Sequence, residues 1–481
     1  MRLFRRRAPA GATATTVRYV ADVVVTLDEH GTVHRPGAVE VTGDRIGWVG
    51  PASASAQAAP SASGAASGAA SGAASGPATA SRPGAGGGTS AAVAVVEVGG
   101  LLMPGLVNVH GHSAMTLLRG AGDGLALGRW LQEVVWPREA LLCADDVRWG
   151  MTLGCAELLR AGVTTTCEQY LHPRAVADAV ADAGIRCVLT PVIFDLPGAG
   201  PDATWQRCLD DAGSLHAEMD GRGGRLTVGL GPHSAYALPE DALKAIARTA
   251  GELGALVQIH VAETRDEGSS ILRRHGCSAP ELLERLGVLD NRVLAAHSVW
   301  LSDHDLDIYA AHNVAVGHCP QSNAKLGSGI ARVGEMLARG VRVGLGTDGP
   351  ASNDNLDLWE ELRLAPLLAR AATADAGAIT THTALGLGTH GGADALGLRA
   401  GRLAPGYFAD LVRVDTEDAA FVPGLTEHEI LSHLVWAASS RLVTDVWVGG
   451  RRVVDARRCT TVDERLAREE VRLRARRLAG V

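Results

Sequence analysis

Lysine is almost missing from this sequence: Lys244 and Lys325 are its only two, and arginine carries the rest of the positive charge. Lys244 lies in a helix-like stretch, and Lys325 lies in a predicted loop after an apolar run, so no predicted strand carries a lysine. Aromatic residues make up only 4% of the chain, which argues against a platform that stacks the bases of single-stranded nucleic acid. The net charge of -8 argues against any nucleic-acid backbone as the main partner.

Long apolar runs are also missing. No stretch approaches the ~18 apolar residues that a membrane span needs, so no membrane partner is expected. The basic residues 1–7 are followed by small and polar residues rather than by the apolar core of a secretory signal. The eight cysteines include no C-x-x-C pair, and several lie in apolar runs. We therefore expect a cytoplasmic protein with reduced, buried thiols.

The sequence contains 46% hydrophobic residues over 481 positions, enough for a large barrel with a satellite. Its N-terminal part, residues 17–50, is typical of short strands separated by turns. Residues 51–92 consist mainly of Ala, Ser, Gly and Pro, with AASG repeated. This segment has no apolar periodicity, so we predict a disordered surface insertion, with a functional hinge as the alternative.

Between residues 105 and 397, short apolar runs alternate with longer amphipathic stretches. The runs are nearly continuous in apolar residues, which is typical of strands that are buried on both faces. Eight strand–helix units favour an α/β fold of the TIM-type (β/α)8 class over a doubly wound open sheet. The eight predicted strands are 106–112, 163–169, 185–193, 226–233, 256–263, 293–300, 314–320 and 341–348.

After Gly397 the pattern returns to strands, as in DLVRVD and DVWVGGRRVVD, where Gly449 and Gly450 indicate a turn. We predict that residues 17–104 and 398–481 pair into one small β-sandwich-like domain, with the barrel of residues 105–397 inserted between them. The charged segment 463–478 is predicted to form a surface helix.

Five polar residues stand at the carboxyl ends of predicted strands, where barrel enzymes build their active sites. His110 and His112 end the first strand, and alternation places them on the same face. His260, His297 and Asp348 end the fifth, sixth and eighth strands. A lone strand histidine is usually a core residue, but this clustering at one barrel face predicts a metal site. Histidine nitrogens with a carboxylate oxygen suit Zn2+ or Fe2+, with one position open for water.

The segments PGLVNVHGH, HVAET, AHSVW and GTDGPASND resemble the amidohydrolase superfamily, in the branch of S-adenosylhomocysteine, 5'-methylthioadenosine and adenosine deaminases. The resemblance covers both terminal β segments and the whole barrel, without the Ala/Ser/Gly insertion. Members of the family usually carry threonine or isoleucine where this chain has Gly111. A side chain at that position points away from the metal, so we expect little effect of the difference.

The resemblance implies one divalent ion, because two-metal members bridge their ions with a carboxylated lysine from a middle strand, which this chain lacks. It also implies that Asp348 takes the proton of the attacking water and that His297 contacts that water. Glu263, three residues after His260, would protonate a ring nitrogen and then the departing amine; a carboxylate that favours a helix N-terminus is the alternative. The implied metal ligands are His110, His112, His260 and Asp348.

Similarity to the adenosine-type deaminases implies a 6-aminopurine nucleoside as substrate: adenosine, 5'-deoxyadenosine, 5'-methylthioadenosine or S-adenosylhomocysteine. Glu139 of WPRE matches a glutamate that holds the ribose hydroxyls, and His233 of GPHSAY matches a purine-contacting histidine. Ser352 matches a serine near the substrate, and Trp130 either flanks the ligand or only packs. Arg207 is the nearest match to an arginine that binds an amino-acid carboxylate, although its spacing differs by about one residue.

Other reactions on the same scaffold are the alternatives, namely guanine or 8-oxoguanine deamination and triazine-type dechlorination. Those enzymes lack the ribose-binding role of the WPRE glutamate. A non-catalytic scaffold protein is not favoured, because such relatives usually lose ligand histidines and all are present here. The resemblance also implies a homo-oligomer.

Overall fold

The structure is a computed structural model and describes residues 15–54, 93–195 and 203–480. Most of the predicted insertion (55–92) and the basic residues 1–7 lie outside these ranges. The described N-terminal part forms short strands, as its β-branched residues predict. These strands are β1 Thr16–Ala21, β2 Val23–Val25, β3 Val33–His34, β4 Gly37–Thr42, β5 Arg45–Pro51, β6 Ala94–Glu97 and β7 Leu101–Pro104.

Each of the eight predicted apolar runs contains a strand. The third run is interrupted at Pro191, which has no N–H to donate to a neighbouring strand, and the fourth is interrupted at Gly229 and Leu230. The strands are β8 Leu106–Gly111, β9 Val163–Glu168, β10 Arg186–Leu189, β11 Val192–Ile193, β12 Leu226–Val228, β13 Gly231–Pro232, β14 Val257–Val261, β15 Val293–His297, β16 Ala315–His318 and β17 Arg342–Leu345.

Eight of these strands form two four-stranded sheets, in the orders β12–β10–β9–β8 and β14–β15–β16–β17, and the short strands β11 and β13 form a two-stranded sheet. All these pairings are parallel. Parallel bridges join the two sheets at both edges, between Gly111 and Asp348 and between Leu230 and Val257. The Asp348 N–H donates to the His110 carbonyl at 3.0 Å. Because neighbouring strands are parallel, their carboxyl ends lie on the same side of the sheets, where the predicted site residues stand.

Helices connect most of the successive strands, and several begin with capping boxes, as at Ser278 and Ser302. Lys325 was predicted in a loop, but it ends a short helix that begins at Pro320, since proline is well tolerated in a first helical turn. The helices are α1 Leu127–Trp130, α2 Trp136–Glu139, α3 Ala144–Arg160, α4 Pro173–Ala183, α5 Trp205–Met219, α6 Glu240–Leu253, α7 Arg265–His275, α8 Ala279–Arg285, α9 Asp303–Ala311, α10 Pro320–Lys325, α11 Val333–Ala338, α12 Leu358–Thr373, α13 Thr381–Leu387 and α14 His390–Leu396.

The C-terminal part returns to strands and ends in a helix that Asp463 caps. Strand β7 pairs with the first C-terminal strand, so both ends of the chain share one sheet, and a second sheet has the order β5–β4–β1–β6. Tyr19, Ile46, Leu102 and Trp447 belong to one buried apolar cluster that both sheets supply. The C-terminal elements are β18 Leu411–Val414, α15 Glu427–Trp436, β19 Val443–Val448, β20 Arg451–Asp455, β21 Arg458–Cys459 and α16 Glu464–Ala479.

No helix within the described ranges has both the length and the apolar content that crossing a membrane requires.

A buried ion pair ties the parallel strands to the C-terminal β segment. Arg186 of β10 donates two hydrogen bonds to the Asp410 carboxylate, at 3.0 and 3.2 Å, and the two side chains are only 3% and 1% exposed. The Gly449 N–H also donates to Asp410, at 2.7 Å, and the Phe408 ring stacks on the guanidinium at 3.4 Å. The pair therefore links a strand below the candidate site to the sheet formed by both chain ends.

Replacing Arg186 with methionine is expected to lower the free energy of unfolding by about 3–5 kcal/mol, because Asp410 is then left buried without its counter-charge. Chemical denaturation followed by circular dichroism measures the loss. The double variant Arg186→Met/Asp410→Asn removes both charges, so its free energy of unfolding should fall by less than that of the single variant. Equal losses in the single and double variants would contradict this account of the pair.

Candidate metal centre and active site

The five residues predicted at strand ends come together in the structure. The Nε2 atom of His112 lies 3.3 Å from Nε2 of His260 and 3.3 Å from Oδ1 of Asp348. The Nε2 atom of His110 lies 3.4 Å from the same carboxylate oxygen. Tetrahedral ligation with bonds of about 2.1 Å places donor atoms about 3.4 Å apart. Two groups have donor atoms within 4.8 Å of one another: His110, His112 and His260, and His110, His297 and Asp348.

Backbone carbonyls fix the orientation of two of these imidazoles. The Nδ1–H of His112 donates to the Gln169 carbonyl at 2.5 Å, and that of His260 donates to the His233 carbonyl at 2.7 Å. Their Nε2 atoms are then free to bind a metal ion. His110 is fully buried, yet neither of its ring nitrogens has a well-formed hydrogen bond within the described part of the chain. A buried polar atom without a partner is rare in native proteins, and a bound metal ion would supply one here.

The protonation states of the cluster also suit a cation. Burial lowers the pKa of His110 to about 4 and the pKa of His260 well below its ordinary value, so both imidazoles are neutral at neutral pH. Burial alone would raise the pKa of Asp348, but the surrounding imidazoles hold it well below its ordinary value. A divalent ion needs neutral imidazoles and an ionised carboxylate as ligands. The residues present therefore fit a metal ion.

Two of the site residues have left-handed backbones, which is uncommon outside glycine. The φ angle is 66° at His297 and 56° at Asp348. The Ser298 N–H donates to the Val261 carbonyl at 3.0 Å, so the chain after His297 is held by the neighbouring strand. Such strain persists where the surrounding structure fixes it, and it is frequent at functional sites.

Two serine hydroxyls orient the Asp348 carboxylate. Ser322 and Ser352 each donate to its Oδ2 atom at 2.7 Å, while Oδ1 faces His110 and His112. Ser352 was predicted near the substrate. It lines the cavity described below, but its hydroxyl is engaged with Asp348.

Glu263 lies two residues after the end of β14, and its backbone is held in place by another carboxylate. Glu267 accepts the N–H of Ala262 at 2.9 Å and that of Glu263 at 2.8 Å. The side chain of Glu263 is buried, with its Oε2 atom 3.8 Å from Nε2 of His297. Burial raises the pKa of the Glu263 carboxyl. A carboxyl that keeps its proton to higher pH is suited to both donate and accept a proton during a reaction.

A cavity opens beside the histidine cluster. Glu139, His233, Trp130 and Ser352, which the sequence predicted as substrate contacts, line it. The indole N–H of Trp130 donates to the Ala121 carbonyl at 3.0 Å, so its ring is fixed by the chain. Arg207 is exposed on α5 and does not belong to this lining.

Sequence reasoning missed several residues that line the cavity, among them Tyr170, Phe194 and Trp136. Phe194 lies 5.0 Å from His233, measured between ring centroids, and 6.4 Å from Trp136. Tyr170 is buried, and its hydroxyl group faces the Glu139 carboxyl. Both Tyr170 and Phe194 closely follow a strand end, which is the signal that could have identified them.

The Glu139 carboxyl is buried at the end of α2, and this burial raises its pKa to about 7, although the neighbouring Tyr170 hydroxyl lowers it somewhat. No arginine or lysine lines the cavity within the described ranges. A buried carboxylate without a counter-cation is costly for stability, and such a residue is often kept for function.

We expect Glu139→Gln to raise the free energy of unfolding at about pH 8, by up to about 3 kcal/mol, and to change it little near the ordinary carboxyl pKa of 4.5. The native carboxyl binds its proton more tightly than the unfolded one, so wild-type stability falls as pH rises from 4.5 towards 7. Glutamine removes this dependence. Denaturant titrations across that range measure the difference, and a pH-independent gap between the two proteins would contradict the burial argument.

Comparison with known proteins places this geometry in a family. Residues 101–453 match the amidohydrolase family. A 5-methylthioadenosine/S-adenosylhomocysteine deaminase of Pelotomaculum thermopropionicum is 38% identical over 95% of this chain and 97% of its own length. A 5'-deoxyadenosine deaminase of Methanothermobacter thermautotrophicus is 40% identical over 79% of this chain and 88% of its own length.

Among solved structures, an adenosine deaminase from Xanthomonas campestris with bound zinc has a TM-score of 0.85 and 32% identity, covering 97% of this chain and 99% of that one. Because the family match spans most of the sequence, including all the clustered histidines and Asp348, the chain belongs to the amidohydrolase family.

Proposed function

We propose that this amidohydrolase hydrolytically deaminates a 6-aminopurine nucleoside, releasing ammonia and the inosine-type product. The observation that carries the proposal is the position of the buried Glu139 carboxyl in the same cavity as Glu263 and the histidine cluster. A carboxylate accepts two hydrogen bonds and so suits the vicinal hydroxyls of a ribose. The relatives named as deaminases of adenine nucleosides, at 38% and 40% identity, support the same reaction.

We propose a single divalent ion, with Zn2+ favoured by the zinc-bound relative and Fe2+ compatible with the same ligands. The absence of a strand lysine supports one ion, since Lys244 lies in α6 and Lys325 in α10. When bound, a divalent ion lowers the pKa of water towards neutrality. The proposed ligands are His110, His112, His260 and Asp348.

The protein's own groups can then handle the protons of the reaction. Asp348 is ionised and accepts a proton from the attacking water. His297 donates its Nδ1–H to Asn323 at 2.9 Å, which fixes its ring so that Nε2 orients the oxygen adding to the ring carbon. Glu263 gives its proton to the adjacent ring nitrogen and then takes the proton of the hydroxyl group that has been added to the ring carbon. It passes this second proton to the amine, which leaves as ammonia when the carbon–nitrogen bond breaks and the carbonyl forms. The proton held by Asp348 then returns to Glu263, so the two protons of water account for those on the ring nitrogen and the ammonia.

The purine would lie against His233 and Phe194, whose rings are in contact, with the ribose at Glu139. The 5' substituent is the least constrained part of the substrate. Arg207 was considered as a contact to an amino-acid carboxylate, and its exposed position on α5 gives that role no support from the cavity lining. Adenosine, 5'-deoxyadenosine, 5'-methylthioadenosine and S-adenosylhomocysteine therefore all belong in the test.

We further propose that the parallel strands close into a (β/α)8 barrel over residues 105–397, as the bridges at both sheet edges support. Residues 17–104 and 398–481 would form a β-sandwich-like domain around the cluster that contains Tyr19 and Trp447. All eight cysteines are free, which supports a cytoplasmic location. A homo-oligomer stays a prediction.

A substrate panel tests the proposed reaction. The four nucleosides, guanine, 8-oxoguanine and a chlorotriazine are assayed for ammonia or chloride release and for loss of the 6-aminopurine absorbance. We expect turnover of the nucleosides, and we expect Glu139→Gln to lower their kcat/KM by about 10- to 100-fold, the equivalent of one charge-assisted hydrogen bond. The exposed Glu133→Gln serves as the matched control. Turnover of guanine without any adenine nucleoside would overturn the proposal.

Metal removal gives an independent prediction. Chelation should abolish activity and lower the melting temperature, because an ion that binds only the folded state stabilises it by about 2.7 kcal/mol at 100 times its Kd. Elemental analysis should find about one ion per chain, and reconstitution with Zn2+ or anaerobic Fe2+ compares the two metals. Full activity in chelated, metal-free protein would rule out the proposed centre.

A further inference from the structure

The proposed mechanism leaves Glu168 unused, although it is the last residue of β9 and its side chain is completely buried beside the histidine pair. Its Oε1 atom accepts hydrogen bonds from the hydroxyl groups of Ser113 and Thr166, both at 2.6 Å. Its Oε2 atom accepts the Ser113 backbone N–H at 2.8 Å. No arginine or lysine in the described part of the chain pairs with this carboxylate. Burying such a group is costly, so its retention calls for an explanation.

Gly111 lies directly opposite Glu168 in the pairing of β8 with β9. A Cβ atom on Gly111 would lie 3.1 Å from Oε1 of Glu168 and 3.2 Å from Nδ2 of Asn108. Its φ angle is outside the left-handed range, so the backbone itself does not require glycine. A side chain at position 111 would instead crowd the Glu168 carboxylate, which would have to shift by a few tenths of an ångström to admit it.

The same strand end also holds His112. The Gln169 N–H donates to the Gly111 carbonyl at 3.0 Å, and the Gln169 carbonyl accepts the Nδ1–H of His112. Glu168 binds Ser113 on the other side of that histidine, at the first residue of the 3-10 helix Ser113–Leu118. The carboxyl end of β9 therefore holds His112 in three ways. Gln169 binds its ring and the preceding residue, Gly111, and Glu168 binds the following residue, Ser113.

We propose that Glu168 is a positioning residue for the metal centre, and that Gly111 and Glu168 act as a matched pair. The carboxylate fills the space beside Gly111 and holds Ser113, so that Nε2 of His112 faces the ion. The inference rests on the metal site proposed above. It also replaces the expectation that Gly111 has little effect on the metal site, because a side chain at position 111 that points away from the metal points at Glu168.

The test measures metal affinity and catalysis in a double-mutant cycle. The Kd for Zn2+ is measured by competition with a chromophoric chelator, and kcat and KM are measured with the preferred nucleoside. Gly111→Ala is expected to weaken Zn2+ binding and to lower kcat/KM by about 10- to 100-fold, as changes of groups that orient metal ligands usually do. Glu168→Asp should have a similar effect, because the shorter side chain no longer reaches Ser113.

The double variant Gly111→Ala/Glu168→Asp should be no worse than Glu168→Asp alone, because the shorter acid leaves room for the added methyl group. The two effects would then fail to multiply, as expected for residues in contact. Multiplying effects, or wild-type Zn2+ affinity in both single variants, would overturn the inference.

Glu168→Gln separates position from charge. Its amide oxygen can accept the Ser113 N–H while the hydroxyl groups of Ser113 and Thr166 rotate to accept from its NH2 group, so all three bonds can be kept. We expect a Zn2+ Kd within about threefold of wild type, since a neutral hydrogen bond replaces a charge-assisted one at modest cost. A loss as large as that of Glu168→Asp would mean that charge, not position, is what the residue supplies.

Two further variants guard against general loss of stability. Ser113→Ala removes only the hydroxyl bond and should weaken Zn2+ binding relative to wild type, which keeps the inference testable if Glu168→Asp fails to fold; unchanged affinity in this variant would contradict it. Glu40→Gln removes the charge from another buried carboxylate contact, the 2.7 Å pair with Arg18. This pair lies far from the site in sequence and in a different sheet. The substitution should lower the melting temperature without changing the Zn2+ Kd. A wild-type protein that binds no Zn2+ would instead refute the proposed metal centre itself.

Discussion

The ionised Asp348 carboxylate is buried among histidine imidazoles, and much of the surrounding structure serves to keep it there. Its two oxygens have different neighbours: Oδ2 accepts from Ser322 and Ser352, and Oδ1 faces the Nε2 atoms of two histidines. A buried charge must be compensated locally because solvent cannot do so. The strained backbone at this residue is compatible with a cation that completes the compensation.

Several buried carboxylates near the cavity fix the backbone, and each of them binds the N–H groups of a different segment. Glu267 binds the N–H groups of the two residues that end at Glu263, and Glu168 binds the N–H of Ser113. Glu361 accepts the Gln321 N–H at 3.0 Å. In each case a glutamate from a neighbouring element holds the segment that follows a strand, which limits the freedom of the functional side chain next to it.

The strand positions and the clustered residues could be predicted because parallel strands place their carboxyl ends on one side, and polar residues stand out at the ends of apolar runs. The interruption at Leu230 and the helix that ends at Lys325 depend on local backbone geometry, which hydrophobic periodicity does not encode. The pairing of Gly111 with Glu168 could not be predicted either. It depends on the register between two strands more than 50 positions apart. The sequence around a glutamate in an apolar run does not indicate which residue of the neighbouring strand lies opposite it.

The bridge between Gly111 and Asp348 joins the first parallel strand to the last, and the proposed ligands stand on both sides of this seam. His110 and His112 belong to one side, and Asp348 belongs to the other. An ion bound there would link two segments that are distant in sequence, since His110 and Asp348 are 238 positions apart. The ligand set is therefore complete only once the last of the parallel strands has docked, so all four groups cannot bind one metal ion before the segment that ends at Asp348 has been synthesised and placed.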